Sequence, residues 1–394
     1  MHLKLSIDTK KLILTLKSLK FQYHLIKYSI YFLELGYKEI EDTITIAKKC
    51  IGWLCSYTPL ELIYAAGLLP YRIIGHSNPP KNADSYIHPN FCQFIKSTID
   101  VAIEGGYDFL EGVIFVNSCD AMRRLHDVWK RYVPTKFIHI LDIPMGNLSL
   151  GSKYLENEFL KLKNALEKYT STPIKEEDIK NAIDIYNISR LLYNQLNSLR
   201  MEDPPLITAG RLMEITSDFF KIEPDVWNEK TRKLIEEIKS ETTKAEQKKN
   251  PRILLSGSPL HEIEFIKFIE GIGLNLVYED LCTGSKFFNL NIKESNNLIF
   301  SLSEAYLTRA PCARMMQIEE RAKQIINNSK KFKADGVIHH SLKFCDTYLY
   351  DVPALKKILG ENKIPVLFIE SDGGLGDVNQ LRTRIEAFSE IIKN

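Results

Sequence analysis

The sequence lacks a long apolar run. No stretch of about 18 residues is both apolar and free of charge, which a membrane-spanning helix would require. The most apolar stretch, residues 62–74, is interrupted by Pro70 and Arg72. Lysines are scattered through residues 1–25, whereas a secretory signal needs an uninterrupted apolar block and a small-residue cleavage site. We therefore expect a cytoplasmic protein with no membrane partner.

An excess of charge of either sign is also missing. There are 52 basic and 50 acidic side chains, which gives a net charge of +2. This balance offers no electrostatic reason to expect nucleic acid or an anionic membrane as a partner. With 44% hydrophobic and 26% charged residues, the composition is that of a folded globular chain and excludes intrinsic disorder. The 394 residues predict two to three domains, at roughly 150 residues per domain.

Two common site motifs are absent. None of the seven cysteines forms a C-x-x-C pair, so a zinc knuckle or a thioredoxin-type site is not indicated. An odd number of cysteines in a reducing compartment is also not a disulfide framework. The glycine-rich run Gly373–Gly376 matches neither G-x-x-x-x-G-K-S/T nor G-x-G-x-x-G, and we interpret it as a turn loop. The sequence therefore predicts no phosphate-cradling loop.

Short apolar runs alternate with helical patterns in two parts of the chain, 46–147 and 250–394. This alternation predicts an α/β fold with two Rossmann-like or flavodoxin-like lobes, each built on a parallel sheet. Residues 148–249 have apolar residues at helical spacing and predict a helical connector, and we interpret its charged end, 244–249, as solvated. Residues 1–45 predict an N-terminal helical segment.

The two predicted lobes share a short pattern. GVIFVNSCD begins at Gly112 and GVIHHSLKFCD begins at Gly336. In both, a strand that opens with Gly-Val-Ile is followed by Cys-Asp. This single match suggests a duplicated lobe.

Local signals predict three helices beside cysteines. The run Thr58-Pro59-Leu60-Glu61 has the order of an N-cap, a first helical residue and a capping box, and predicts a helix just after Cys55. A predicted helix over 39–54 contains Cys50. A predicted helix over 313–328 begins directly after another cysteine.

The other six cysteines fall in loops after predicted strands or before predicted helices, three in each lobe. Carboxyl ends of parallel strands meet at one edge of a sheet, so we expect these loops to face a cleft between the lobes. Helix N-termini stabilise thiolates and bound anions, which suits an iron–sulfur cluster held by cysteines. Incidental loop cysteines are the alternative. The six are Cys55, Cys92, Cys119, Cys282, Cys312 and Cys345.

Two other cysteine chemistries receive less support. Zinc would need four ligands close in space, and the usual local pairs are missing. A nucleophilic cysteine would need a base. His339 and His340 lie near Cys345 in the sequence, but we interpret two adjacent histidines after a strand as structural.

Five blocks of sequence carry a family resemblance. They are GWLCSYTPLELIYAAGLLPYRIIG (52–75), GVIFVNSCDAMRRLHDVWK (112–130), RILLSGSP (252–259), APCARM (310–315) and IPVLFIESDGGLGDVNQLRTRIEAF (364–388). Together they resemble the 2-hydroxyacyl-CoA dehydratase D-component family, with matching blocks through most of residues 45–394.

The resemblance implies a ligand set. Dehydratase subunits of this family hold one 4Fe-4S cluster by three cysteines, which are similar to Cys92, Cys119 and Cys345 here. The double-cubane branch uses six cysteines for two linked cubanes. The second set would be Cys55, Cys282 and Cys312. Because all six are present, the sequence is most similar to the double-cubane branch.

The resemblance also implies a reaction. Both branches receive low-potential electrons from a separate ATP-hydrolysing iron–sulfur activator. We therefore expect an enzyme, acting as a homodimer, that reduces a small substrate at a double-cubane cluster with such an activator. One alternative is a subunit of a 2-hydroxyacyl-CoA dehydratase, a lyase with a single 4Fe-4S cluster. Another is a non-catalytic electron carrier or cluster-assembly factor.

Overall fold

The structure is a computed structural model that describes residues 48–76, 79–145, 148–240, 250–374 and 378–393. Three sequence predictions lie outside the described residues. They are the N-terminal helical segment (1–45), the charged run 244–249, and Leu375 and Gly376 of the glycine-rich run.

The first lobe contains a four-stranded parallel sheet in the order β2-β1-β3-β4. Its strands are β1 (Cys50–Trp53), β2 (Leu69–Arg72), β3 (Leu110–Val116) and β4 (Phe137–Leu141). Each of the first three strands is followed by a helix, and these are α1 (Leu60–Ala65), α2 (Gln93–Ile103) and α3 (Asp120–Tyr132). A short 3-10 turn at Ala83–Ser85 precedes α2.

Four helices follow β4. They are α4 (Leu148–Thr170), α5 (Glu176–Ser198), α6 (Ala209–Phe219) and α7 (Pro224–Ser240), with a 3-10 turn at Leu199–Met201. The apolar stripe of α4 is buried, as the helical spacing predicts, at Leu155, Phe159, Leu162 and Leu166.

The second lobe repeats the parallel sheet in the order β6-β5-β7-β8. Its strands are β5 (Arg252–Gly257), β6 (Asn275–Asp280), β7 (Gly336–Leu342) and β8 (Val366–Ser371). Its helices are α8 (Ile263–Gly271), α9 (Ser285–Phe288), α10 (Leu298–Thr308), α11 (Ile318–Lys331), α12 (Asp346–Glu361) and α13 (Val378–Lys393), with a 3-10 turn at Ala313–Met315. The two-lobed α/β prediction is confirmed.

The two sheets have the same strand order, second-first-third-fourth in chain order. The repeated Gly-Val-Ile pattern falls on the third strand of each, β3 and β7. A side chain at Gly112 would collide with Phe137, and one at Gly336 would collide with Phe388. At Gly112 the closest atoms belong to the backbone and Cβ of Phe137, and at Gly336 they belong to the ring of Phe388, so both equivalent positions need glycine because a neighbouring phenylalanine lies close.

The four middle helices pack against both lobes. α4 packs against α10, α5 against α1 and α7, and α6 against α8. One hydrophobic core contains Trp53 of the first lobe, Tyr193 of the middle helices and Tyr306 of the second lobe. These helices therefore join the lobes through a shared core.

The prediction of a helix through Cys50 is wrong. Cys50 begins β1, which pairs with both β2 and β3 and is buried along its whole length. A strand buried on both faces has no alternating pattern, so its short apolar run looks like a buried helical segment.

Two predicted helix starts are also wrong. α1 begins at Leu60, and the Thr58 hydroxyl, which was expected to cap it, has no partner in the described part of the chain. Glu61 does not complete a capping box but bonds to Arg190 and Tyr306. After Cys312 the chain makes a 3-10 turn, and Met316 has a left-handed backbone conformation (φ 53°) that ends it. The helix α11 therefore begins only at Ile318.

Among the described residues, no helix is both long and apolar enough to cross a membrane.

Gly257 provides a test of the contact between β5 and β7. It has φ 145°, and a Cβ atom there would lie 1.8 Å from the His340 carbonyl oxygen. We predict that Gly257→Ala forces the two strands apart and lowers the free energy of unfolding by about 3 kcal/mol or more. Urea unfolding of the two proteins measures this.

Gly271 at the end of α8 is the matched control. A Cβ atom there would meet nothing within 4 Å. Gly271→Ala should leave the free energy of unfolding unchanged or raise it by about 0.5–1 kcal/mol. Similar losses in both variants would contradict the close approach at Gly257.

Candidate metal centre

Five of the six loop cysteines lie as the sequence predicted, after a strand or at the amino end of a helix, and Cys312 lies before a 3-10 turn instead of a helix. Cys55 follows β1 and Cys282 follows β6. Cys92, Cys119 and Cys345 are the N-cap residues of α2, α3 and α12, and Cys312 precedes the 3-10 turn at 313–315.

Cys92, Cys119 and Cys345 form the first group. Cys92 is buried in one hydrophobic core, and Cys119 and Cys345 pack against that same core. Two of these residues come from the first lobe and one from the second. We call this group the first triad.

Each thiol of the first triad meets backbone N–H groups. The Met122 N–H donates to Cys119 Sγ at 3.4 Å. N–H groups of Phe94 and Ile95 favour the Cys92 thiolate, and that of Tyr348 favours the Cys345 thiolate. These are the free N–H groups of a helix N-terminus, which stabilise negative charge.

Burial nevertheless has the largest effect on the pKa of each thiol in the first triad, and it opposes ionisation. It raises the pKa of the Cys345 thiol to about 12 and also raises the pKa of Cys92 and of Cys119. The Cys345 and Cys119 thiols add to the raised pKa of Cys92, and the Cys119 thiol adds to the raised pKa of Cys345. Without a bound cation these thiols therefore stay protonated at neutral pH.

Cys55, Cys282 and Cys312 form the second triad. Cys55 and Cys312 pack against the large core shared by the lobes and the middle helices. Burial, with smaller contributions from the Cys312 and Cys282 thiols, raises the pKa of Cys55 to about 12. Burial also raises the pKa of Cys312, again with a contribution from Cys282. Here one residue comes from the first lobe and two from the second.

The two triads adjoin one another. Burial is the main cause of the raised pKa of Cys119, and the Cys312 thiol of the second triad adds to it, while the bond from the Met122 N–H acts in the opposite direction. The two triads are named here by the grouping that the family resemblance implies.

Buried cations surround the second triad. Arg72 donates from Nη1 to the Cys282 carbonyl oxygen at 2.8 Å and lies over the rings of Trp53 and Phe220 at 4.8 and 4.6 Å. Lys286 pairs with Asp280 at 2.6 Å.

Further buried cationic side chains also reach the same region. Lys286 and Arg321 favour the Cys312 thiolate, and Arg314 favours the Cys55 thiolate. Backbone N–H groups of Tyr57 and Arg314 also favour the Cys55 and Cys312 thiolates, so the second triad has both backbone donors and buried cations.

Cys50 does not join either triad. It lies at the amino end of β1, the opposite edge of the sheet from Cys55, and its thiol contacts the Lys48 carbonyl oxygen at 3.9 Å. Burial raises the pKa of Cys50 to about 11, with Glu223 and Glu111 adding to the rise.

Both histidines of β7 are buried. His340 Nε2 bonds to Ser371 Oγ at 2.8 Å, as expected of a structural histidine. His339 has no hydrogen-bond partner in the described part of the chain, and its ring lies 6.2 Å from that of Tyr348. Burial lowers the pKa of both imidazoles, so both are neutral at pH 7.

Sequence reasoning missed several residues that adjoin the cysteines. Tyr57, Tyr348, Arg72 and Arg309 are buried around the second triad. The two tyrosines could have been found by their short spacing from Cys55 and Cys345. The arginines stand alone in apolar segments and leave no pattern in the sequence.

The donor set fits a multinuclear cluster better than a single metal ion. In the described part of the chain, no group of three or more His, Cys, Asp or Glu side chains is close enough to hold one ion. Thiolates on a cubane each bind a different iron, so they stand further apart than ligands of one ion. Six buried thiols with helix N-termini and cations around them suit such an anionic group.

The fold and the two cysteine triads define a two-lobed α/β protein with a candidate thiolate-ligated centre between its lobes. The chain belongs to the 2-hydroxyacyl-CoA dehydratase D-component family, because residues 55–392 match the family described as 2-hydroxyglutaryl-CoA dehydratase, D-component. The family resemblance seen in the sequence is thereby confirmed.

Similar proteins are named as subunits of dehydratases and of a reductase. The chain is 29% identical to the (R)-phenyllactyl-CoA dehydratase beta subunit of Clostridium sporogenes, over 90% of this chain and 94% of that protein. It is 26% identical to the beta subunit of the (R)-2-hydroxyglutaryl-CoA dehydratase of Acidaminococcus fermentans, over 87% and 92%. It is 25% identical to a benzoyl-CoA reductase subunit of Thauera aromatica, over 88% and 92%.

The position of Cys50 predicts that it is dispensable for metal binding. Cys50→Ser should keep the full iron content of anaerobically prepared protein, at a stability cost of about 1 kcal/mol for a buried polar replacement. Cys119→Ser should lose iron, because it removes the thiol at the N-terminus of α3. Iron and acid-labile sulfide analysis measures both. Full iron in Cys119→Ser together with loss in Cys50→Ser would show that the ligand set is wrong.

The raised pKa values predict proton release when the centre assembles. At pH 8 the thiols are protonated, since burial raises the pKa of Cys55 and Cys345 to about 12. The ligand is the thiolate, so each ligating thiol should release about one proton. In a pH-stat during reconstitution, Cys50→Ser should match the unaltered protein and Cys55→Ser should release about one proton fewer. Equal release from all three would exclude Cys55 as a ligand.

Proposed function

We propose that the six cysteines hold a double-cubane iron–sulfur centre. The observation that carries this proposal is the gathering of six loop cysteines into two adjoining triads, each drawn from both lobes. A single cubane would need only one of them. Zinc is less well supported, since the local cysteine pairs of the usual zinc sites are missing from the sequence.

The chain's own residues would hold the centre and fix its surroundings. The first triad offers three thiols at helix N-termini, and the second offers three thiols among buried cations. The apolar cores behind both triads exclude water from that side. Such a centre, when bound, accepts and passes on single electrons at low potential.

We propose further that the protein is an enzyme that reduces a small substrate with electrons from an ATP-hydrolysing iron–sulfur activator. The sequence has no phosphate-cradling motif, so coupling to ATP would have to come from a second protein. Support comes from the relatives, which are named as subunits of larger enzymes and include a reductase. We also propose that the protein acts as a homodimer in the cytoplasm and meets the activator transiently, as electron-transfer partners do.

A second candidate function is that of a 2-hydroxyacyl-CoA dehydratase subunit with one 4Fe-4S cluster held by Cys92, Cys119 and Cys345. The names of two relatives, both dehydratase beta subunits, favour it. Iron content separates the two candidates, at about eight irons per chain for two cubanes and about four for one. In the dehydratase, Cys55→Ser and Cys282→Ser should also leave the iron content unchanged.

The activator is tested by electron transfer, which needs no known substrate. The oxidised iron-loaded protein is mixed with a purified dehydratase activator and fixed dithionite, with and without ATP. We expect the centre to be reduced at least about tenfold faster with ATP, because the activator supplies driving force that this chain lacks. Bleaching of the visible absorbance and EPR measure the rate. Equal rates with and without ATP would show that the activator plays no part, and would favour a simple electron carrier.

A further inference from the structure

Two buried tyrosines lie beside the second triad with unused hydroxyl groups. Tyr57 follows Cys55 in the loop after β1, and Tyr348 lies in the first turn of α12 after Cys345. Their exposed fractions are 2% and 4%. Neither hydroxyl donates a hydrogen bond to an acceptor in the part of the chain that the structure describes, and the Cys312 backbone N–H points its dipole at the Tyr57 oxygen.

An unpartnered buried hydroxyl needs an explanation. Leaving such a group without a hydrogen bond costs about 1–3 kcal/mol, and the great majority of buried polar groups are therefore paired. Two such hydroxyls near one set of cysteines suggest a shared acceptor at that place.

Both phenols adjoin Cys312. Burial is the main cause of the raised pKa of Tyr57, and the Cys312 and Cys55 thiolates add to it. For Tyr348 the added contributions come from Cys282 and Cys312. A tyrosine with an ordinary pKa of about 10 is already protonated at pH 7, so both hydroxyls are hydrogen-bond donors.

Cations hold the two rings in place. The Tyr348 ring has Arg321 at 5.2 Å and Lys286 at 5.8 Å from its centroid, and the Tyr57 ring has Arg309 at 5.3 Å. Cation–π contacts engage the ring and leave the hydroxyl free. The rings are therefore oriented by contacts that do not use their only polar atoms.

We propose that the hydroxyls of Tyr57 and Tyr348 donate hydrogen bonds to sulfur atoms of the centre at the second triad, and thereby make that half the easier one to reduce. This inference rests on the proposed function, since it needs the cysteines to hold an iron–sulfur group. Hydrogen bonds to sulfur raise the reduction potential because they favour the more negative reduced state. On reduction one electron is added, and each phenol keeps its proton.

The first triad has a different set of donors. Its thiolates are favoured by backbone N–H groups and by the hydroxyls of Ser118 and Thr347, while Asp346 opposes the charge on Cys345. Backbone N–H groups favour thiolates in both triads, so what distinguishes the second triad is its buried phenols and cations.

The experiment replaces each tyrosine by phenylalanine and uses a neighbour as control. Tyr350 lies in the same helix as Tyr348 but is 83% exposed. Tyr57→Phe and Tyr348→Phe should each lower the equilibrium constant for the first one-electron reduction about tenfold, which moves the midpoint potential about 59 mV more negative. Tyr350→Phe should leave it unchanged. EPR-monitored redox titration with dithionite measures the potentials.

A second readout separates tuning of the centre from a structural role. In metal-free protein the two hydroxyls donate no hydrogen bond, so neither Phe substitution should greatly reduce the free energy of unfolding. A large loss of stability in the metal-free variants would show that the hydroxyls serve packing and would overturn the inference.

The outcomes distinguish this inference from the proposed function. Unaltered protein without iron and sulfide would refute the proposed function itself. Iron-loaded Tyr57→Phe and Tyr348→Phe with unchanged potentials would refute only the role of the tyrosines. If one of the two Phe variants fails to load iron, the midpoint potential of the other variant tests the inference. If both fail, protein labelled with 3-fluorotyrosine decides, because a more acidic phenol should raise the potential, and an unchanged potential overturns the inference.

Discussion

The Arg309 guanidinium is the contact on which the arrangement of the cysteines depends. It is buried between the lobes and donates hydrogen bonds to the carbonyl oxygens of Ser56 and Lys286, which ties the loop of Cys55 to the segment after Cys282. Arg72 makes a parallel link to the Cys282 carbonyl. Arg314 reaches from the turn after Cys312 to Asn117 Oδ1 at 2.8 Å, close to Cys119. Because each guanidinium spans the lobes, the cysteine loops cannot separate independently.

The duplicated sheets explain part of the geometry and leave part unexplained. Cys119 and Cys345 occupy equivalent positions, after the third strand of their lobes, yet they fall in the same triad. Cys92 and Cys312, which both precede the segment leading to a third strand, fall in different triads. A duplicated lobe therefore supplies similar loops, while the way the two lobes meet determines which cysteines share a neighbourhood.

The sequence predicted the secondary structure correctly where the signal is a local pattern of residues. The bounds of α3 and the position of Cys119 follow from a buried β-branched strand followed by an amphipathic helix. The strand at Cys50 could not be predicted, since a central strand buried on both faces has no alternation. α9 and α10 were also missed. The rule that strand ends share an edge predicts a common cleft for the cysteines, but not which loops meet across it. The grouping of the cysteines was implied only by the family resemblance. The buried tyrosines and arginines beside them were found only in the structure.

The buried arginines carry an electrostatic consequence for folding. Burial lowers the pKa of Arg72 to about 10, while the Cys282 and Cys55 thiolates act in the opposite direction. Its hydrogen-bond acceptor is a carbonyl, which satisfies a donor but supplies no counter-charge, and an uncompensated buried charge is costly. The thiols stay protonated without metal because burial raises their pKa. On the proposed function, metal binding would make the second triad anionic and would supply the charge that these guanidinium groups lack. Binding at the cysteines would then stabilise the packing of the two lobes.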